Sequence, residues 1–337
     1  MRRLGLSALL AAVAITAAFG APLSWRWNLP AGIMPPPVPA DNPMSEAKVA
    51  LGRRLFYDAD LSIDGTTACA TCHEQHRAFT EGNATHPGVG NTPGRRNVMA
   101  LANVAYFNPL TWADPTQHGL EQQMLVPLMG SHPIEMGMAG KADELASRLG
   151  EDGCYHRMFA AAFPETEGRI DLANVTKALA AFERTLLSYD SPYDRYLRGD
   201  RTALSPAAQR GAALFSHGCA DCHNGPNFTD GKFHHFRLPG QGVNDPARDR
   251  GLAEITAAAK DESAFRTPSL RNVALTGPYM HDGSVPDLAD AVRAHTGVTR
   301  TERDVPDLVA FLESLSDRAF VTNPDFALPK TACGKGH

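Results

Sequence analysis

The chain has 337 residues, 43% of them hydrophobic and 20% charged, which is enough for two domains with a core each and unlike a disordered or fibrous sequence. Its formal net charge of -5 is mild and forms no long run of one sign, which argues against nucleic-acid binding and against a polybasic membrane anchor.

The chain opens with Arg2 and Arg3, an apolar stretch from Leu4 to Phe19, and small residues at Ala18, Gly20 and Ala21. This pattern predicts a secretory signal over residues 1–21, cleaved on export to the periplasm. The alternative is an uncleaved anchor, but the stretch is short for a bilayer span, and no other span is expected. Residues 22–43 form a Pro-rich arm, LPAGIMPPPVPADNP from Leu29 to Pro43, with too few backbone donors for regular structure. It reads as a linker or a wrapping arm.

Two domains are expected after the arm, at 44–200 and 201–337. A helix begins near Ser45 and carries Gly52, Leu55 and Phe56. A second begins at Ser205-Pro206, a good N-cap and first-turn pair, and carries Gly211, Leu214 and Phe215. The shared G-x-x-L-F is a short internal repeat. Each half then closes with apolar residues at i, i+3, i+4 spacing: Val175, Ala178, Leu179, Phe182 and Leu186 in the first, Leu308, Phe311, Leu312 and Leu315 in the second. Strand signals are sparse, and the Gly- and Pro-rich segments His76 to Arg96 and Asn224 to Thr267 lack periodicity. The expected fold is mainly α, with two tandem domains and long ordered loops.

The chemistry enters through Cys69-Ala70-Thr71-Cys72-His73 and Cys219-Ala220-Asp221-Cys222-His223. In C-x-x-C-H, two thiols three positions apart form thioethers with haem vinyl groups, and the next residue reaches the iron from the same face. With six cysteines and thirteen histidines, one such match is expected by chance roughly 0.004 times. A thioredoxin-like motif does not need the histidine, and a four-cysteine zinc site leaves both histidines unexplained. Two covalent c-type haems follow, with His73 and His223 as proximal iron ligands. Of the remaining cysteines, Cys154 and Cys333 either pair or stay free.

The segments GRRLFYDADLS, CATCH, HPIEMGM, ALAAFERTLLSYDSPYDRYLRGD and RTPSLRNVALTGPYMHDGS, together with the tandem haem motifs, resemble the bacterial di-haem cytochrome c peroxidase and MauG superfamily across essentially the whole mature chain. Within it, WNLPAGIMPPPVPADNPMSEAKVALGRRLFYD and LTWADP followed by LVPLMGSHPIEMGMAG are most similar to the MbnH enzymes of methanobactin operons.

The resemblance implies that the His73 haem reacts with hydrogen peroxide and that Glu135, in Pro133-Ile134-Glu135-Met136, is its catalytic acid and base. It implies a pocket glutamine at Gln123, although the interval to Glu135 is slightly longer than in the peroxidases. It makes Trp112 a relay between the haems, and it puts a second axial ligand of the His223 haem at His295, where peroxidases carry methionine and MauG carries tyrosine. The nearby rivals are Met280 and His281. A calcium ion between the domains is implied at Asn97, Thr276 and Pro278. His76, His86 and His118 are available to close the N-terminal haem, but the MauG and MbnH likeness implies an open, five-coordinate iron. Without the resemblance, Glu135 reads as a solvated loop residue, Trp112 as core and His295 as an ordinary helical histidine.

The activity implied is a peroxide-dependent di-haem oxidase that forms a high-valent di-haem state and oxidises a residue, tryptophan to kynurenine, on a secreted copper-binding partner of the MbnP type. The alternative is a periplasmic cytochrome c peroxidase fed by a small cytochrome or cupredoxin. A third reading is a passive electron carrier with both haems saturated.

Overall fold

The computed structural model describes residues 25–236, 249–295, 300–332 and 335–336, so the signal segment 1–21 and Cys333 lie outside it. Ser45 starts the first helix, Glu46–Phe56, by accepting a hydrogen bond from the Lys48 amide at 3.2 Å. Leu51, Leu55 and Phe56 share one face of it and are fully buried against Val175, Ala178, Leu179 and Phe182 of the closing helix Leu172–Glu183. Gly52 lies where the two helices cross. A Cβ there would stand 1.9 Å from the Ala178 carbonyl oxygen, so only glycine permits this approach.

The second half repeats the design. Ser205 caps the helix Pro206–Phe215 through the Ala208 amide at 3.1 Å, with Pro206 in the first turn. Gly211 meets the closing helix Val305–Glu313, where a Cβ would lie 1.9 Å from the Asp307 carbonyl oxygen. A separate apolar cluster forms here from Phe215, Phe228, Val273, Leu308, Phe311 and Leu315. The periodicity put Leu186 and Leu315 on the closing helices, yet the helices end at Glu183 and Glu313. Tight turns past each end keep both leucines on the apolar face, fully buried.

The fold is mostly helical, as the sequence implies, with one short addition in the segment Asn224 to Thr267. There Phe233–His235 pairs antiparallel with Ala264–Arg266, in register Phe233 to Arg266. Three residues per strand are too few for alternation to be visible in the sequence.

Two straps tie the halves down. The Pro-rich arm wraps the first half: buried Asn42 donates to Glu121 Oε1 at 2.6 Å and to the Lys177 carbonyl at 3.0 Å, and Tyr106 donates to the Met34 carbonyl at 2.7 Å. The C-terminal tail returns to the first core. Phe320 and Phe326 pack on Phe79, while Arg53, Tyr57 and Gln75 donate to the carbonyls of Ala327, Phe326 and Asn323. Cys154 is held in a disulfide.

Because backbone, not a flexible side chain, stands opposite Gly52 and Gly211, alanine at either site must push the helices apart. Each of Gly52→Ala and Gly211→Ala is expected to cost about 1–3 kcal/mol in guanidinium unfolding of the haem-loaded protein. An unchanged transition would mean that the helices do not cross at these residues.

Candidate functional site

The second C-x-x-C-H motif opens on Gly218, which takes a positive φ of 106°, and runs through a 3-10 turn Cys219–Asp221. His223 Nδ1 donates to the Phe228 carbonyl at 3.1 Å. His295 follows the helix Leu288–Ala294 and donates from Nδ1 to the Ala291 carbonyl at 2.8 Å. Each imidazole therefore keeps an unprotonated Nε2, the form that binds a metal. The ring centroids stand 6.3 Å apart. An iron about 2 Å from each coordinating nitrogen places the rings about 6 Å apart, so the pair fits a haem iron between them. Burial, together with the neighbouring His295, holds His223 down to about 4, and burial also lowers His295, so both stay neutral near pH 7.

These histidines line a cavity of about 390 Å³ with Cys219, Cys222 and apolar side chains that include Phe215, Leu288 and Leu308. Both thiols are free, and burial raises them, which favours the protonated thiol over the thiolate. The donor set and the apolar walls suit a covalently attached haem. Of the rival ligands, His281 is buried and stacked on Phe265 at 3.8 Å, and Met280 lies on the wall with a positive φ of 72°.

The first motif forms a single helical turn, Cys69–Cys72, in which Thr71 Oγ1 accepts from the Ala68 amide at 3.0 Å. Ala78 and Phe79 adopt left-handed backbone, and the Phe79 carbonyl accepts from His73 Nδ1 at 2.7 Å. Cys69 and Cys72 are free, and burial raises both. His73 thus matches His223 in its orienting hydrogen bond, but its one ring contact is with Phe56 and no second imidazole faces it among the described residues.

Near this motif the structure places carboxyls. Glu135 is held through its main chain, whose carbonyl accepts from Val89 at 2.8 Å, while the next carbonyl, of Met136, accepts from Ile63 at 2.9 Å. Its carboxyl makes no side-chain hydrogen bond among the described residues, is raised by desolvation, and acts on both Cys69 and Cys72. Gln123 ends the short helix Leu120–Gln123, half-buried. That helix is joined to the Glu135 segment through the adjacent helix Leu125–Met129, whose Pro127 carbonyl accepts from Met136 at 3.0 Å. Among the candidate loop histidines, His86 donates to buried Glu81 at 2.8 Å and acts on Glu135, whereas His76 and His118 are exposed.

Sequence reasoning missed Glu183. This residue ends the first closing helix, is 4% exposed, acts on Cys69, and has no side-chain hydrogen bond among the described residues. Desolvation pushes it up to about 8. The only signal in the sequence is an acid at the end of the apolar run ALAAF.

Trp112 lies on the wall of the second cavity, its indole donating to the Asn97 carbonyl at 2.8 Å. Asn97, Thr276 and Pro278, the expected calcium positions, line the same cavity. Asn97 Nδ2 donates to the carbonyls of Asn83 and Ala84, both at 3.2 Å, which leaves Oδ1, the atom a hard cation would take, without a hydrogen bond. Cys222, Asp230 and His234 are the residues that come together as a His/Cys/Asp/Glu group among the described residues, and none of the three expected calcium positions belongs to it.

The family model for di-haem cytochrome c peroxidase matches residues 46–202. The chain is 37% identical to the methylamine utilization protein MauG of Methylorubrum extorquens, an alignment covering 90% of this chain and 87% of that protein. It is 35% identical to the cytochrome-c peroxidase IdrP1 of Denitromonas iodatirespirans, covering 89% and 90%. Among solved structures it resembles a MauG-like protein associated with microbial copper homeostasis, with a TM-score of 0.84 and 39% identity over 91% of this chain and 100% of that one.

The Glu183 carboxyl carries a stability prediction. Its folded value lies above the ordinary 4.5, so the stability it contributes is fully present below about pH 4.5 and is lost as pH rises through about 8. Glu183→Gln is expected to match the parent near pH 5 and to exceed it by up to about 4 kcal/mol at pH 9 in denaturant unfolding of the haem-loaded protein. A constant difference between the two proteins across that range would rule out a buried, titrating carboxyl.

Proposed function

The chain belongs to the di-haem cytochrome c peroxidase and MauG family of oxidoreductases, and we propose that it is a peroxide-dependent oxidase of the MauG type, acting on a residue of a secreted partner protein. The observation that carries this reading is the difference between its two histidine sites. His223 faces His295 at 6.3 Å, as an electron-transfer haem requires, while His73 is acted on by Glu81 and by His86, the latter held on Glu81, and among the described residues no imidazole is in ring contact with it. Bound haem supplies the iron and the conjugated ring from which electrons are withdrawn when peroxide is reduced.

The protein's own residues supply the rest. Cys69 and Cys72 fix one haem and Cys219 and Cys222 the other. His73 and His223 present Nε2 to the irons because the Phe79 and Phe228 carbonyls hold their Nδ1 protons. Desolvation makes the Glu135 carboxylate more basic than an exposed one, so that it takes the proton from one peroxide oxygen and returns it to the other as the O–O bond breaks. Gln123 orients the peroxide. Trp112, on the second cavity wall, passes oxidising equivalents toward His223 and His295. Calcium at Asn97, Thr276 and Pro278 stiffens this wall. The domain boundary falls near 200/201, between two helix pairs that each close on their own glycine crossing.

The copper-homeostasis association of the MauG-like structure supports a copper-binding partner, and on our reading that partner is of the MbnP type and the reaction converts a tryptophan to kynurenine. Placement in the periplasm fits the sequence of residues 1–21, and no helix among the described residues is long and apolar enough to cross a membrane. The identity with a cytochrome-c peroxidase favours a second reading, in which the same centres reduce peroxide with electrons from a small cytochrome or cupredoxin.

Peroxide added to the di-ferric protein is expected to perturb the spectra of both haems, and mass spectrometry of a copper-binding partner to register oxidation of a tryptophan. Rapid steady-state oxidation of a reduced cytochrome or cupredoxin, with the partner unmodified, would select the peroxidase reading instead. Glu135→Gln is expected to slow the peroxide reaction about 10²- to 10⁴-fold in stopped-flow measurements. A rate equal to the parent would remove Glu135 from the mechanism.

A further inference from the structure

Arg266, at the end of the strand Ala264–Arg266, is 3% exposed and lines the cavity shared by His223 and His295. No carboxylate pairs with it among the described residues. Its guanidinium is held by neutral groups: Nε donates to the Thr111 carbonyl at 3.0 Å, and Nη2 to the Leu110 carbonyl at 3.0 Å and to Met99 Sδ at 3.4 Å. Nη1 has only a 3.4 Å contact with the Thr267 carbonyl, which leaves one N–H unused. The guanidinium carbon sits 5.5 Å from the Phe107 ring centre. A buried cation without an anion is costly, and a cavity wall that carries one is built for an anionic ligand.

Haem brings two carboxylates, its propionates, on the edge opposite its thioether bonds. Two other arginines line the cavity. Arg271 pairs with Asp194 through two hydrogen bonds of 2.8 and 2.9 Å. Arg300 has a buried Nε without a partner and no carboxylate beside it among the described residues, but it donates to the Arg293 carbonyl and acts on Cys219 and His295, which puts it at the thioether edge. The charged groups that act on Cys219 and Cys222 are Arg300, Asp221, Asp230 and Lys232, and Arg266 is not among them. Arg266 also reaches Trp112 through the main chain, where its amide donates to the Trp112 carbonyl at 2.8 Å.

We propose that Arg266 binds a propionate of the C-terminal haem and, by clasping the carbonyls of Leu110, Thr111 and Trp112, fixes that haem relative to Trp112. It is a positioning residue with an electrostatic side effect, because its charge favours the reduced haem. The inference rests on the placement of the C-terminal haem and not on the substrate. The other titratable groups on this wall are His234, held by Asp230; His235, on the Glu262 carbonyl; His281, stacked on Phe265; and Tyr279, whose hydroxyl is raised by burial. Lys232, whose carbonyl accepts from Thr267, is exposed.

The test is a spectroelectrochemical titration of the haem-loaded protein between pH 6 and 9, without peroxide or partner, for the parent, Arg266→Gln and Arg266→Lys. In the parent the propionate stays ionised, and this residue pair adds no pH dependence to the midpoint. In Arg266→Gln the C-terminal haem is expected to become at least tenfold harder to reduce, a drop of about 59 mV, and to gain a new pH dependence as the unpaired propionate takes up a proton on reduction. Arg266→Lys restores most of the midpoint and removes the new slope, while the N-terminal haem is unchanged in both. Arg266→Gln with both haems attached and the parent's midpoint and pH profile overturns the proposal, as does an equal shift at both haems. If Arg266→Gln fails to retain haem, Arg266→Lys decides: a midpoint displaced as far as tenfold would mean that charge at this position is not what the haem senses. Absence of a low-spin bis-histidine spectrum in the parent would count against His295 and leave Arg266 a separate question.

Discussion

The arrangement depends on one repeated hydrogen bond, the donation of an Nδ1 proton from a buried histidine to a main-chain carbonyl. His73 gives its proton to Phe79, His223 to Phe228 and His295 to Ala291. Each bond fixes the tautomer and the ring orientation at once, so that Nε2 is a bare lone pair directed across a cavity. The backbone pays attention to this need: Ala78, Phe79 and Phe228 all take left-handed conformations uncommon for residues with side chains, and the turns they form deliver the accepting carbonyls. Burial then keeps these imidazoles neutral, because no carboxylate accompanies them at hydrogen-bonding distance.

From that common element the two halves diverge by what stands nearby. In the second half a helix ends at the distance at which a second imidazole shares an iron. In the first half the surroundings hold Glu135, Glu183 and the Glu81–His86 pair, all carboxyl-bearing and largely removed from water. A paired imidazole site resists ligand entry, whereas a desolvated carboxyl holds a proton where one is needed. The same local fold, entered by a capped helix and closed over a glycine, thus gives its two histidines different surroundings.

Much of this was legible in the chain. The attachment motifs, the serine caps at Ser45 and Ser205, and the G-x-x-L-F repeat are local signals, and each depends on residues a turn or so apart. The closing helices showed as apolar periodicity. The placement of Glu135 and His295 came from resemblance, since nothing local distinguishes a loop glutamate or a helical histidine from their many ordinary counterparts. What stayed hidden is tertiary. Glu183 and Arg266 differ from surface residues only in what other segments bring over them, and the ribbon Phe233–His235 with Ala264–Arg266 is too short for an alternating pattern to register.

The return of the tail to the first core has a consequence in time as well as space. Phe320 and Phe326 lie against Phe79, the residue whose carbonyl aligns His73. Synthesis runs from the amino end, so Cys69, Cys72 and His73 emerge well before the aromatic wall behind them, and the second motif with its closing helix Val305–Glu313 also precedes that wall. Until it arrives, the first attachment motif is open on that side to whatever delivers its prosthetic group. The order of the polypeptide makes the first site begun the last one sealed.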